Sequence, residues 1–152
     1  MCTSFLGQLM TATHNFGTSP IRAASTADTF KAALYVTTAT VNAATTVYSS
    51  TNEVSGTGYT AGGITVTNAT APSSTNTSAT AGVGYWTPSA NLVYSTVTLT
   101  TAFDTVLIYT SSQSNAAVSV HTFGAQTITA GTFTLTMPTN TTTSALLRLT
   151  TT

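Results

Sequence analysis

Few residues in this chain could carry chemistry. Among 152 residues there are three acids (Asp28, Glu53 and Asp104), two histidines (His14 and His121) and one cysteine, Cys2. Acid–base catalysis needs a pair of carboxylates or a carboxylate with a histidine. The best trio is therefore Asp104, His121 and one of the many serines. The segment TAFDTV places Asp104 in a turn ahead of the V-L-I-Y run, where capping that turn is its simplest role. His121 falls in a strand, partly buried. No G-x-S-x-G elbow is present, and in a serine-rich chain a match to serine carries no information. His14 and His121 are far apart and Cys2 is alone, so no ligand spacing appears and no metal is expected.

The richest local pattern is TNEVSGTGYTAGGITVT, residues 51–67, which holds Glu53 and Gly56, Gly58, Gly62 and Gly63. A dinucleotide-binding G-x-G-x-x-G would need glycine where Ala61 stands, and a helix directly after it. A strand former, ITVT, follows instead. No helix N-terminus and no lysine are available for a phosphate. The glycines are expected to build tight turns or a bulge. Glu53 is expected to anchor that turn by accepting backbone N–H bonds or by pairing with a cation. The chain is expected to be no enzyme and to use no cofactor. Tyr59, Tyr85, Trp86, Tyr94 and Tyr109 could line a sugar-binding surface, or sit at core edges and interfaces.

Composition says what must position these residues. Charged residues are 4% of the chain, the net charge is zero, and threonine is about a quarter of all residues. Threonine is β-branched and favours strands. Lys31, Arg22 and Arg148 form no cluster, which argues against nucleic acid as a partner. A surface so poor in charge is prone to self-association and suits an assembly that covers it. One cysteine allows no intrachain disulfide. No run of about 18 apolar residues exists, so no membrane span is expected. The opening MCTSFLGQLM lacks a basic n-region and a long apolar core, so no secretory signal is expected.

Residues 1–29 read as an arm with one short helical turn at most, carrying Phe5, Leu6, Leu9, Met10 and Phe16 as candidate interface residues. The arm docks either on a neighbouring subunit or back on its own core. From residue 30 to 152, strand signals recur every eight to twelve residues, the spacing of a sandwich. They are TFKAALYVT, TTVYSS, GITVTNAT, SATAGVGYW, LVYSTVTLT, VLIYTS, AAVSVHTF, TFTLTMP and ALLRLT. In the first, Phe30, Ala32, Leu34 and Val36 alternate against Lys31, Ala33 and Tyr35. V-L-I-Y is apolar throughout, as in a central strand buried on both faces. Gly131, and Pro138 before Asn140, mark turns. The expected fold is a single all-β domain, a β-sandwich or jelly roll. Its expected core includes Phe30, Leu34, Trp86, Val97, Leu99, Leu107, Ile108, Val120, Phe123, Phe133, Leu135, Leu147 and Leu149.

Three segments together resemble a family of small structural proteins of tailed bacteriophages. They are S-F…H-N-F at residues 4–16, T-F-K-A-A-L-Y at 29–35 and N-E-V-S-G-T-G-Y-T-A-G-G at 52–63. Further on, V-L-I-Y at 106–109, H-T-F-G at 121–124 and L-L-R-L at 146–149 match that family's A-L-I-Y strand, D-F-G turn and terminal I-I-R-I strand. Thr122 stands where the family often has an acid, and the charges usual near the Trp86 segment are missing. The resemblance implies a virion component. The preferred expectation is a capsid decoration, or cement, protein on the outer surface of the phage head. It would be made in the bacterial host cytoplasm, with the major capsid protein as partner and a trimer as the expected homo-oligomer. The alternatives are a tail, neck or fibre-attachment protein, and a carbohydrate-binding module for host attachment.

Overall fold

The structure is a computed structural model that describes Cys2, His14, Phe16 and residues 28–67, 72–75 and 82–150. Among these residues seven strands run in chain order: β1 (Phe30–Val36), β2 (Ile64–Val66), β3 (Ser73–Ser74), β4 (Val83–Trp86), β5 (Leu92–Thr110), β6 (Ala116–Leu135) and β7 (Leu147–Thr150). They form two antiparallel sheets, one ordered β2-β1-β5-β6 and one ordered β3-β4-β7. The chain is thus an all-β, sandwich-like single domain.

Strand β1 lies between β2 and β5 and is buried at Phe30, Ala32, Ala33, Leu34 and Tyr35. The expected outward face of Ala33 and Tyr35 is therefore interior. Alternation in the sequence marks two chemistries here but only one environment, because the strand is covered on both sides. Residues 105–110 of β5 are likewise buried without a break, as the V-L-I-Y run predicts.

Four expected strands merge into two. LVYSTVTLT and VLIYT are one 19-residue strand, β5. AAVSVHTF and TFTL belong to one 20-residue strand, β6. The turns expected at Asp104, at residues 121–124 and at Gly131 are strand interior. β-Branched threonine dominates around these points, and no proline interrupts them. The expected breaks survive as irregularities in the β5–β6 register, between Tyr94 and Val97, Val97 and Leu99, Leu99 and Phe103, and Phe103 and Thr105. Thr96 and Ala130 have positive φ at two of them.

Those bulges bend the ribbon. Ile108 pairs with Ala32, while the Tyr94 hydroxyl donates to the Ala32 carbonyl oxygen at 2.9 Å. On a straight strand, residues 94 and 108 would be about 45 Å apart. Strand β5 therefore doubles back over β1, and its two halves face each other across the core. Strands that change layers through bulges make such corners. Phe103, Phe123 and Phe133 meet inside the bend, with ring centres 5.0 Å apart for Phe103 and Phe133 and 5.3 Å for Phe123 and Phe133.

The loop from Thr110 to Ala116 closes the other end of the ribbon, with positive φ at Ser114 and Asn115. TTVYSS forms only an isolated bridge, Val47 to Ala116, beside β6. The small sheet is tied in by Trp86, whose ring meets Phe16 edge-on at 4.7 Å and lies 6.0 Å from Phe30. Leu149, expected in the core, is 41% exposed. It has the right parity but stands near the end of an edge strand.

Candidate functional site

Glu53 is the centre of the glycine-rich segment. Three tight turns follow one another, closed by Glu53 N–H to Ser50 O, Tyr59 N–H to Gly56 O and Gly63 N–H to Thr60 O, at 3.2, 3.2 and 2.9 Å. In each, the third residue has positive φ: Asn52 at 61°, Gly58 at 79° and Gly62 at 90°. That is the requirement of a type II turn, and it explains why these positions hold asparagine or glycine. Gly56 and Gly63 serve close approach. A Cβ on Gly56 would lie 2.0 Å from Thr98 O, and one on Gly63 would lie 1.7 Å from Ala32 O.

The Glu53 carboxylate binds the first turn to the third. Oε1 accepts from the Gly62 N–H at 2.8 Å and from the Tyr59 hydroxyl at 2.7 Å, and Oε2 accepts from the Tyr48 hydroxyl at 2.6 Å. Tyr59 Oη in turn accepts the Leu34 N–H of β1 at 3.0 Å. The Tyr109 hydroxyl of β5 donates to Gly62 O at 2.8 Å, and the Tyr48 and Tyr109 rings stack at 4.5 Å. Burial raises the phenol pKa of Tyr35, Tyr48, Tyr59, Tyr94 and Tyr109, and the Glu53 charge adds to this in all five. These tyrosines are donors held protonated. The arrangement is a clasp that ties the turns to β1 and β5.

Asp104, His121 and a serine, the best trio that the sequence offers, are not joined by hydrogen bonds among the described residues. His121 Nε2 lies 3.0 Å from Ser119 Oγ, the geometry a nucleophile and base would need. However, Ser119 is fully buried, so its Oγ has no approach. Burial also lowers the His121 pKa. Asp104 takes its hydrogen bond from Thr105 Oγ1 at 2.8 Å. The sequence singles out His121 but not Ser119 among the many serines, since only the strand's two-residue period brings the two together.

His14 packs inward, its Nδ1 sharing a hydrogen bond with Thr110 Oγ1. Cys2 is buried, its N–H donating to Val118 O at 3.0 Å, and burial raises its thiol pKa. Among the described residues no three His, Cys, Asp or Glu side chains could hold a metal ion. No helix among them is long and apolar enough to cross a membrane.

Of the two places expected for the arm, a neighbouring subunit or its own core, Phe16, a candidate interface residue, takes the second. It is 7% exposed and stacks on Phe30 at 4.6 Å. An aromatic ring one step from the Phe30–Trp86 pair gains more from that contact than from solvent. The other arm candidates, Phe5, Leu6, Leu9 and Met10, lie outside the described residues. Trp86 is 3% exposed under Phe16, so it offers no flat platform for a sugar.

One surface feature escaped the sequence reading. An apolar cleft of about 330 Å³ opens on the small sheet, lined among others by Trp86, Gly84, Tyr85, Leu147 and Leu149. Register explains it. Trp86 pairs with Leu147 and Gly84 with Leu149, so these four share one face, and Gly84 leaves its position unfilled. Tyr85 and Arg148 pair on the opposite face. Comparison with protein-family models, with curated proteins and with solved structures finds no match for this chain.

Proposed function

We propose that this chain is a non-enzymatic bacteriophage virion structural protein, a capsid decoration protein that bridges neighbouring major capsid proteins on the outside of the head. The observation that supports it is how the three segments carrying the family resemblance fold on one another. Phe16 of the first stacks on Phe30 of the second. Tyr59 of the third takes the N–H of Leu34 in the second. Gly63 of the third lies against Ala32 of the second. The resemblance therefore rests on segments that pack against one another in the fold.

The physics of such a role suits the chain. A decoration protein acts by mass action, because many modest contacts each favour the expanded shell over its alternatives. It needs a rigid small body and an uncharged, adhesive surface, and no reactive group. A trimer fits local three-fold positions of a shell.

The test is copy number in purified virions, measured by quantitative mass spectrometry against the major capsid protein. Near parity supports decoration of the head. A small fixed number would move the protein to the neck, tail or fibre attachment, and absence from virions would refute a virion role.

A further inference from the structure

The apolar cleft and the outer edge of β7 form one surface. β7 ends its sheet, so among the described residues only β4 pairs with it. The side chains of Leu147 and Leu149 face the cleft, while Arg148 between them faces the other way and is exposed. A strand added to this edge would repeat that alternation. Its residues opposite Leu147 and Leu149 would lie over the apolar cleft, and the residue opposite Arg148 would face outward beside a guanidinium.

We propose that the β7 edge and its cleft bind an extended segment of a different protein, with the pattern apolar–acidic–apolar. This rests on reading the chain as a subunit that docks on another protein. Charge complementarity selects the acid, because Arg148 is an exposed cation in a chain with only three lysines and arginines. It also argues against a second copy as occupant. Asp28 accepts hydrogen bonds from Ser112 and Gln113, Glu53 is held by Tyr48, Tyr59 and Gly62, and Asp104 is engaged by Thr105 inside β5. This chain has no other carboxylate side chain to offer, so the acid must come from a heterologous partner. The cleft is near the lower end of ligand-pocket sizes, about 300 Å³, which suits a few aliphatic side chains better than a large ligand.

The probe is the capped peptide Thr-Val-Glu-Val-Thr, titrated into the full-length protein and followed by amide NMR shifts. Thr-Val-Lys-Val-Thr is the control. Saturable shifts confined to β4, β7 and the cleft are expected, about fivefold stronger for the glutamate peptide. Arg148→Glu should reverse that preference. Gly84→Val should abolish binding by filling the cleft floor while leaving the melting temperature near wild type. Among the described residues a Cβ at Gly84 meets nothing closer than Leu149 O at 4.0 Å, so the variant can fold.

Absence of saturable shifts, equal response to both peptides, or wild-type binding by Gly84→Val would each overturn the proposal. So would self-association of the unliganded protein that either substitution abolishes, since the occupant would then be a second copy. The virion reading fails separately, on copy number. Parity with the capsid protein and no peptide binding would place the shell contact elsewhere on this chain.

Discussion

Replacing Glu53 with alanine removes the acceptor for three donors at once. The Gly62 N–H lies in a buried residue, so leaving it unpaired costs about 1–3 kcal/mol. The Tyr48 and Tyr59 hydroxyls also lose charge-assisted bonds of 2.6 and 2.7 Å, though Tyr48 can turn toward water. The sum is about 3–5 kcal/mol, against about 0.5 kcal/mol or less for an ordinary surface carboxylate. For a domain of this size that is a fall in melting temperature of about 10 °C. Glu53→Gln keeps one oxygen for Gly62 and Tyr59 and turns an amide toward Tyr48, which must then accept. It should lose only the charge assistance, about 1–2 kcal/mol. The assay is thermal and urea unfolding of both variants, with Tyr48→Phe added to complete a double-mutant cycle. Residues sharing one bond should show coupling of about 1 kcal/mol. Alanine and glutamine variants of equal stability, or additive effects of Glu53→Ala and Tyr48→Phe, would show that the carboxylate merely decorates the turns.

Gly63→Ala should fail to fold or lose more than about 3 kcal/mol, because its Cβ would meet Ala32 O at 1.7 Å on a residue with φ of 73°. Gly124→Ala, with nothing within 4 Å among the described residues, should melt within about 2 °C of wild type, and soluble yield with melting temperature reads both. Stability should also fall at alkaline pH. Five phenols have raised pKa values in the folded state, so their contribution is complete below the unfolded value of about 10 and is lost as pH rises above it. The slope is about 1.4 kcal/mol per pH unit for each phenol kept protonated. Tyr59 and Tyr94 carry most of it, and solvent screening reduces the rest. Urea midpoints that stay level between pH 9 and pH 11.5 would contradict this.

The class of fold was legible because threonine content, strand spacing and the V-L-I-Y run all point the same way. The core was legible at Phe30, Leu34, Trp86, Val97, Leu99, Leu107, Ile108, Phe133 and Leu147, which are all buried. Val120, Phe123 and Leu135 only pack at its margin. The merging of strands was hidden, since a bulge inside a strand and a turn between strands use the same residues. Gly131 serves either, and only pairing partners distinguish them. The glycine run announced tight turns. That Glu53 would collect two tyrosine hydroxyls could not be read, because Tyr48 lies outside the run and nothing local aims its side chain. The cleft was invisible for a related reason. It arises where a glycine on β4 meets a leucine on a strand more than sixty positions later, and register alone creates it.

Many of the described positions that carry the family resemblance are taken up by the interior and the clasp. Phe16, Phe30, Leu34 and Tyr35 are core, Glu53, Tyr59 and Gly62 form the clasp, and residues 106–109 line the centre of the sheet. Such residues specify how the chain folds and are unavailable to a partner. The segment at residues 146–149 differs. Leu147 is buried as a terminal strand of the core requires, whereas Arg148 and Leu149 stand exposed. Among the described residues nothing pairs with the outer edge of β7, and Leu149 stands partly exposed there beside the apolar cleft. Exposed apolar area of this kind is retained where something covers it. In a chain with almost no surface charge, long-range steering is weak, so a partner must be recognised at contact, through strand pairing and side-chain fit. The β7 edge offers both in one place.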